Sequence, residues 1–178
     1  MRAKCRGFTL IEAMVSLLVL AVLLMVAVPA WSNALARSHA AAARSALLSS
    51  LTASISHAAI AGSEVVLCPA TSGDCLDSWD WSRGWIAYAD IDGDRHHDAG
   101  ETLLRRQAPL DDDIRLLTSK GRKHLVFQPN GGNAGSNVTF TFCTGRHTRD
   151  AAQFVLSNTG SLRQVAGKPP LSKNPCSP

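Results

Sequence analysis

The sequence predicts an α+β fold: one long N-terminal α-helix packed on an antiparallel β-sheet domain. Three observations carry that expectation. A run with no charged side chain extends from Ala13 to Ala36. Asn33 to Ala61 is rich in Ala, Leu and Ser, with apolar residues at helical spacing. After Gly62 the texture changes to short β-rich runs separated by turn residues. The chain has 178 residues, room for one domain plus an anchor.

The first half of the helix reads as a membrane span. At 1.5 Å per residue the uncharged stretch reaches roughly 35 Å, enough to cross a hydrocarbon core of about 30 Å. An ordinary secretory signal places its small-residue site after the apolar core. Here the small residue, Gly7, precedes it. The basic leader (Arg2, Lys4, Arg6) should stay cytoplasmic, which puts the C-terminus outside the inner membrane. Glu12 lies just inside the apolar segment, where a carboxylate is expensive in lipid and calls for a partner. A helix N-terminus also favours a negative charge there. Pro29 marks an expected bend. In the second half, Leu47, Leu51, Ile55 and Ala58 or Ala59 form one apolar stripe suited to a sheet, and Gly62 is the expected stop.

Eight strands are expected: 64–67, 85–89, 102–106, 114–118, 124–127, 138–143, 153–156 and 162–165. Turn signals between them include Asp92-Gly93, Lys120-Gly121, Asn130-Gly131-Gly132 and Asn158-Thr159-Gly160. Short links between sequential strands favour antiparallel meanders. The segments are then 1–7, a leader; 8–33, a transmembrane helix; 34–62, its amphipathic continuation; and 63–178, the β-rich domain.

Five cysteines are present, one of them (Cys5) in the leader. The remaining four, Cys68, Cys75, Cys143 and Cys176, allow three pairings. The expected pairs are Cys68–Cys75, closing a short loop, and Cys143–Cys176, tying down the Pro-rich tail. No CxxC spacing points to zinc. The formal charge is +4, but the leader holds three of the bases, so without it the chain is near neutral and its basic pI is no argument for nucleic acid. Residues 64–113 carry 12 acids against 4 bases, and residues 114–178 carry 9 bases against one acid. Such polarity orients a subunit in an assembly, offers a basic face to a polyanion, or is neutralised inside the fold, the last being the favoured reading.

The string Gly7-Phe8-Thr9-Leu10-Ile11-Glu12, between a basic leader and an apolar run, resembles the class III signal of type IV pilins and type II secretion pseudopilins. That resemblance implies a pilin-like fold and cleavage by a prepilin peptidase between Gly7 and Phe8. It also implies N-methylation of Phe8, and a Glu12 that neutralises the new amine, usually on a neighbouring subunit. The implied partners are other pilin or pseudopilin subunits, the peptidase and the inner membrane. The implied location is the inner membrane, single-pass with a periplasmic domain, then a pilus or pseudopilus. No cofactor is expected.

Further along, Cys68-Pro69, the strand beginning Gly84-Trp85, an acidic turn, Gly100-Glu101 and Phe140-Thr141-Phe142-Cys143 resemble the GspH/FimT branch of the superfamily. The implied function is a minor pilin, a non-catalytic subunit that primes, assembles or caps a type IV pilus. The rival within the branch is the H-type pseudopilin of a type II secretion system. FimT-type pilins have been linked to DNA uptake through a Gly-Arg-x-Arg motif. The matching place here is Gly160-Ser161-Leu162-Arg163, with Ser161 where the first Arg would stand. Arg146, Arg149, Arg163 and Lys168, with Arg122, Lys123 and Lys173, are candidate contacts to DNA phosphates in a competence-pilus receptor.

Other constellations are read more plainly. Asp90, Asp92, Asp94, Asp98 and Glu101 echo the spacing of a calcium loop, but Arg95 stands where such a loop needs Gly. An acidic hairpin turn is the favoured reading, with Asp90, Asp92, Asp94 and Glu101 kept as a calcium candidate. His96 and His97 read as solvated turn residues. Trp85 reads as core, while Trp79 and Trp81 fit either the core or a stacking platform. No nucleophile motif supports an enzyme.

Overall fold

The computed structural model describes residues 9–144, 150–165 and 176. It divides into two compact units, Met1–Arg37 and Ser38–Pro178, with helix α1 (Leu10–Ala61, 52 residues) contributing to both. In the first unit the helix runs without interruption through Pro29. Its most apolar 18-residue window has a mean hydropathy of 2.7, and none of it is buried.

In the second unit, helix α1 ends as expected. Gly62 adopts φ 69° and its N–H bonds the Ala58 carbonyl, a left-handed stop that a Cβ would penalise. Eight strands follow: β1 (Glu64–Pro69), β2 (Trp85–Asp90), β3 (Leu103–Gln107), β4 (Ile114–Leu117), β5 (Leu125–Phe127), β6 (Val138–Thr144), β7 (Asp150–Leu156) and β8 (Leu162–Gln164). They form two antiparallel four-stranded sheets, ordered β3-β2-β1-β5 and β4-β6-β7-β8.

The sequence order of the strands matches expectation; the pairing departs from a simple meander at three places, since β3 and β4, β4 and β5, and β5 and β6 each lie in different sheets. β1–β2–β3 and β6–β7–β8 are meanders. β4 and β5, separated by the expected turn at Lys120-Gly121, would be neighbours in a meander but lie in different sheets, β4 beside β6 and β5 beside β1. The link is a local turn, with Arg122 N–H on the Ser119 carbonyl and the Thr118 hydroxyl on the Arg122 carbonyl. It carries the chain from one sheet to the other. β7 also starts three residues before the expected Gln153, because Asp150 and the two alanines after it pair with β6. Alanine carries little strand signal of its own.

The main core lies where the helix meets both sheets. Ala40, Ala43, Leu47, Leu51, Ser54 and Ala58 recur at three- and four-residue intervals, and the apolar ones among them form the helix side of the core. They pack on Val65, Leu67, Trp85, Ala87, Leu125 and Phe127 of the first sheet, and on Ile114, Leu116, Phe140, Phe142 and Leu156 of the second. Fully burying each leucine stabilises by about 1.5–3 kcal/mol. Ala59 of the expected stripe is exposed, and Ser50 and Ser54 are buried instead. They enter the apolar face because their hydroxyls donate to the Ala46 and Ser50 carbonyls of their own helix.

The first sheet is covered on its other face as well. Val66, Cys68, Ala70, Ile86, Tyr88 and Val126 form a second cluster under Cys75 and Ala134. That is why β2 is buried at all six positions and shows no alternation in sequence. Trp81 is fully buried, edge-on to Phe140 and 6.3 Å from Trp85, so it belongs to the core and not to an open stacking platform. Trp79 is half-buried beside Leu117, Cys143 and Cys176, with the Lys120 ammonium over its ring.

Candidate functional site

The N-terminus of helix α1 is built from Thr9-Leu10-Ile11-Glu12. Thr9 Oγ1 accepts the Glu12 main-chain N–H at 3.3 Å, and Glu12 sits three residues past Thr9. This is the Thr-x-x-Glu start of a capping box, in which a side-chain oxygen satisfies a main-chain donor the first helical turn leaves free. The Thr-x-x-Glu spacing was present in the sequence and was not used there. Glu12 is exposed, in the first turn, where the helix dipole favours negative charge. A carboxylate held there is stabilised locally and open to a cation from outside the chain. Around it Leu10, Ile11, Met14, Val15, Leu17 and Leu18 are all more than half exposed. Gly7 and Phe8 lie outside the described residues.

The acidic loop joins β2 to β3. Asp90 is buried, and its two carboxylate oxygens accept the main-chain N–H groups of Gly93 (2.8 Å) and Arg95 (3.2 Å). Asp92 accepts from Asp94, Asp94 from His96, and Glu101 from both Ile91 and Asp98. The carboxylates of Asp90, Asp92 and Asp94 offer oxygens within 4.8 Å of one another. Each also serves the loop's own main chain, as an acidic turn requires. Arg95 takes φ 63°, the left-handed conformation a calcium loop assigns to Gly. His97 is not a solvated turn residue: its ring packs 5.0 Å from Tyr88 on the outer face of the first sheet. His96 is exposed.

Of the basic candidates, Arg163 is exposed on the edge strand β8, opposite Val155. Arg146, Arg149, Lys168 and Lys173 lie outside the described residues. Gly160 has a structural role of its own. Its φ is +79°, and a Cβ there would come within 2.6 Å of the Gly131 carbonyl oxygen. Arg122 is not free for phosphate: its Nη2 donates to Asn133 Oδ1 (2.9 Å) and to the Ala134 carbonyl (2.8 Å). Burial lowers its pKa. Lys123 pairs with Asp77 at 2.7 Å, a hydrogen bond that holds the Asp77 carboxyl below its ordinary value. Arg115 lies 3.8 Å from Asp80. Both pairs join the acidic segment to the basic one, so part of the charge asymmetry is neutralised within the fold.

Cys68 and Cys75 are joined, seven residues apart, and so are Cys143 and Cys176, thirty-three apart. The first bond closes the loop after β1. The second ties residue 176 to β6.

The chain matches the family described as type II transport protein GspH over residues 43–160, and the prokaryotic N-terminal methylation motif over residues 2–28. No curated protein matches it. Among solved structures it resembles the type IV minor pilin FimU of Pseudomonas aeruginosa (strain PAO1) in two crystal forms. In one, identity is 17% and the TM-score 0.57, over 78% of this chain and 95% of that one. In the other, identity is 16% and the TM-score 0.51, over 77% and 96%. The minor pseudopilin EpsH of the Vibrio cholerae type 2 secretion system gives 14% identity and a TM-score of 0.47, over 68% and 96%. At these identities the FimU likeness speaks to the fold alone, which is the expected pilin fold. The apolar helix and the methylation motif fit a pilin anchored in the inner membrane. The family match spans most of the chain: this protein belongs to the GspH family of the type IV pilin superfamily, whose members are structural subunits acting as minor pilins or pseudopilins.

Proposed function

We propose that this chain is a FimT-like minor pilin. In this reading a prepilin peptidase cuts after Gly7, Phe8 becomes the N-methylated N-terminus, and the domain from about residue 63 onward faces the periplasm until assembly. Segments 8–33 and 34–62 then form the filament-core half and the periplasmic half of one helix. The observation that carries the reading is Glu12: an exposed carboxylate on the first turn of a helix whose neighbouring apolar side chains are also exposed. In an apolar bundle that charge is tolerable only if paired, and the free amine of a processed Phe8 on a neighbouring subunit is the matching cation.

The experiment is mass spectrometry of the mature product together with filament incorporation of Glu12→Ala. A product beginning at methylated Phe8, and a variant that stays in the membrane, are the expected results. An intact leader, or normal incorporation of Glu12→Ala, overturns the reading.

The family match favours a second reading, the H-type pseudopilin of a type II secretion system. A deletion strain separates the two: loss of surface pili for the first, loss of protein secretion with pili intact for the second. A contribution to DNA uptake rests on exposed Arg163. Loss of transformation in an Arg163→Ala strain that still makes pili is its test.

A further inference from the structure

Between the disulfide loop after β1 and the end of β3 lies a cleft of about 350 Å³, lined by Thr71, Ser72, Arg83, Arg106 and Gln107 among others. Its chemistry is one-sided. Two guanidinium groups and two hydroxyls line it, and no carboxylate does. Neither arginine has an ion-pair partner among the described residues, and neither hydroxyl has a hydrogen-bond partner there.

Three separate segments are brought together to make it, and Gly84 is what lets them meet. It has φ +103°, and a Cβ on it would lie 2.4 Å from the Gln107 carbonyl oxygen and 3.2 Å from that of Ala70. Without a side chain, the turn bearing Arg83 presses against the end of β3, which bears Arg106. Ala70 N–H bonds the Gly84 carbonyl at 3.0 Å, fixing the start of the Thr71–Ser72 loop on the same turn. The Cys68–Cys75 bond closes that loop from the other side. Ile86 opposite Arg106 in register supplies an apolar floor. The backbone segments that bear the donors are therefore fixed relative to one another before any ligand arrives, so binding has to order only the exposed side chains.

We propose that this cleft binds a terminal phosphate group. Guanidinium groups match phosphate oxygens two at a time, and hydroxyls complete such a shell. The volume lies at the small end of the range for small-molecule clefts, room for a phosphate and a compact organic group. The phosphate has two available sources, the free inorganic ion or a small phosphate monoester.

The test is isothermal titration calorimetry of the full-length chain in dodecyl maltoside micelles at fixed ionic strength. Inorganic phosphate and glucose 1-phosphate are the probes, and glucose is the neutral control. Saturable binding of at least one phosphate is expected, with no heat from glucose. Arg83→Gln and Arg106→Gln should each weaken it about tenfold. Arg105→Gln, on the opposite face of the same strand, should bind like the parent. Thr71→Val with Ser72→Ala should weaken binding without a change in melting temperature, since both residues are exposed. Tighter binding of the monoester names an organic ligand, and equal binding names the free ion. No saturable heat from either phosphate, or equal losses in Arg105→Gln and Arg106→Gln, overturns the proposal.

Discussion

The indole N–H of Trp85 donates to the hydroxyl of Ser50 across 2.9 Å, both groups buried where β2 meets helix α1. The same hydroxyl donates to the Ala46 carbonyl, so one serine satisfies the helix and the sheet together. Ser50→Ala leaves a buried indole N–H without an acceptor and is expected to destabilise by about 1–3 kcal/mol. Trp85→Phe removes that donor, so adding Ser50→Ala to it should cost much less than Ser50→Ala does in the parent. Urea unfolding of the four proteins in a double-mutant cycle measures this. Strictly additive losses would mean that the bond contributes nothing.

Gly84 is expected to reject even alanine. The added Cβ meets the Gln107 carbonyl oxygen at 2.4 Å, and φ +103° is itself unfavourable for any L side chain. Strain of this kind costs on the order of 1–3 kcal/mol before the clash is counted. Gly93 is a natural control, because it has positive φ but open space around its Cβ position. Thermal melts should show a larger loss for Gly84→Ala than for Gly93→Ala.

Acid should destabilise the domain through His124. Burial pushes its pKa below the ordinary 6.5, against the pull of Asp77 and of a hydrogen bond to the Leu76 main chain, while Lys123 and His96 push the same way as burial. The unfolded chain therefore binds a proton at a pH where the folded one does not. Stability is complete above about pH 6.5, falls as the pH drops toward the depressed folded value, and levels off below it. The difference in urea midpoint between pH 8 and pH 5 should shrink in His124→Gln. Asp77 acts lower: its pKa is depressed from 3.8, so its contribution disappears only as the pH falls below that range.

The two disulfides should differ in weight. The Cys143–Cys176 bond closes a loop of separation 33, the Cys68–Cys75 bond one of separation 7. In the chain-entropy model the longer loop gains more, within a typical range of about 2–4 kcal/mol. Melting temperatures of the two double Cys→Ala variants, each compared with and without reductant, report the ranking.

Much of the architecture was legible residue by residue. The eight strands are visible because β-rich runs alternate with strong turn signals, and Gly62 ends the helix because it can take positive φ. Glu12 stands out because a charge in an apolar run is costly. What escaped the reading has a common cause. Ala40, Ala43, Ser50 and Ser54 look neutral in sequence, yet they are buried because small side chains and self-bonded hydroxyls let the helix lie close to two sheets. His97 beside Tyr88, and the cleft between Arg83 and Arg106, join segments that no local spacing relates.

The amino-acid sequence by itself determined the anchor-like helix, the set of strands, the cysteines and the family. Those follow from composition, periodicity and short motifs, which act over a few residues. Only the tertiary structure decided that β4 and β5 part company, that Trp81 fills the core, and that Arg122 serves its own loops. Each of those outcomes depends on which apolar faces find one another across the chain, and burial is a property of the assembled faces and not of any single segment.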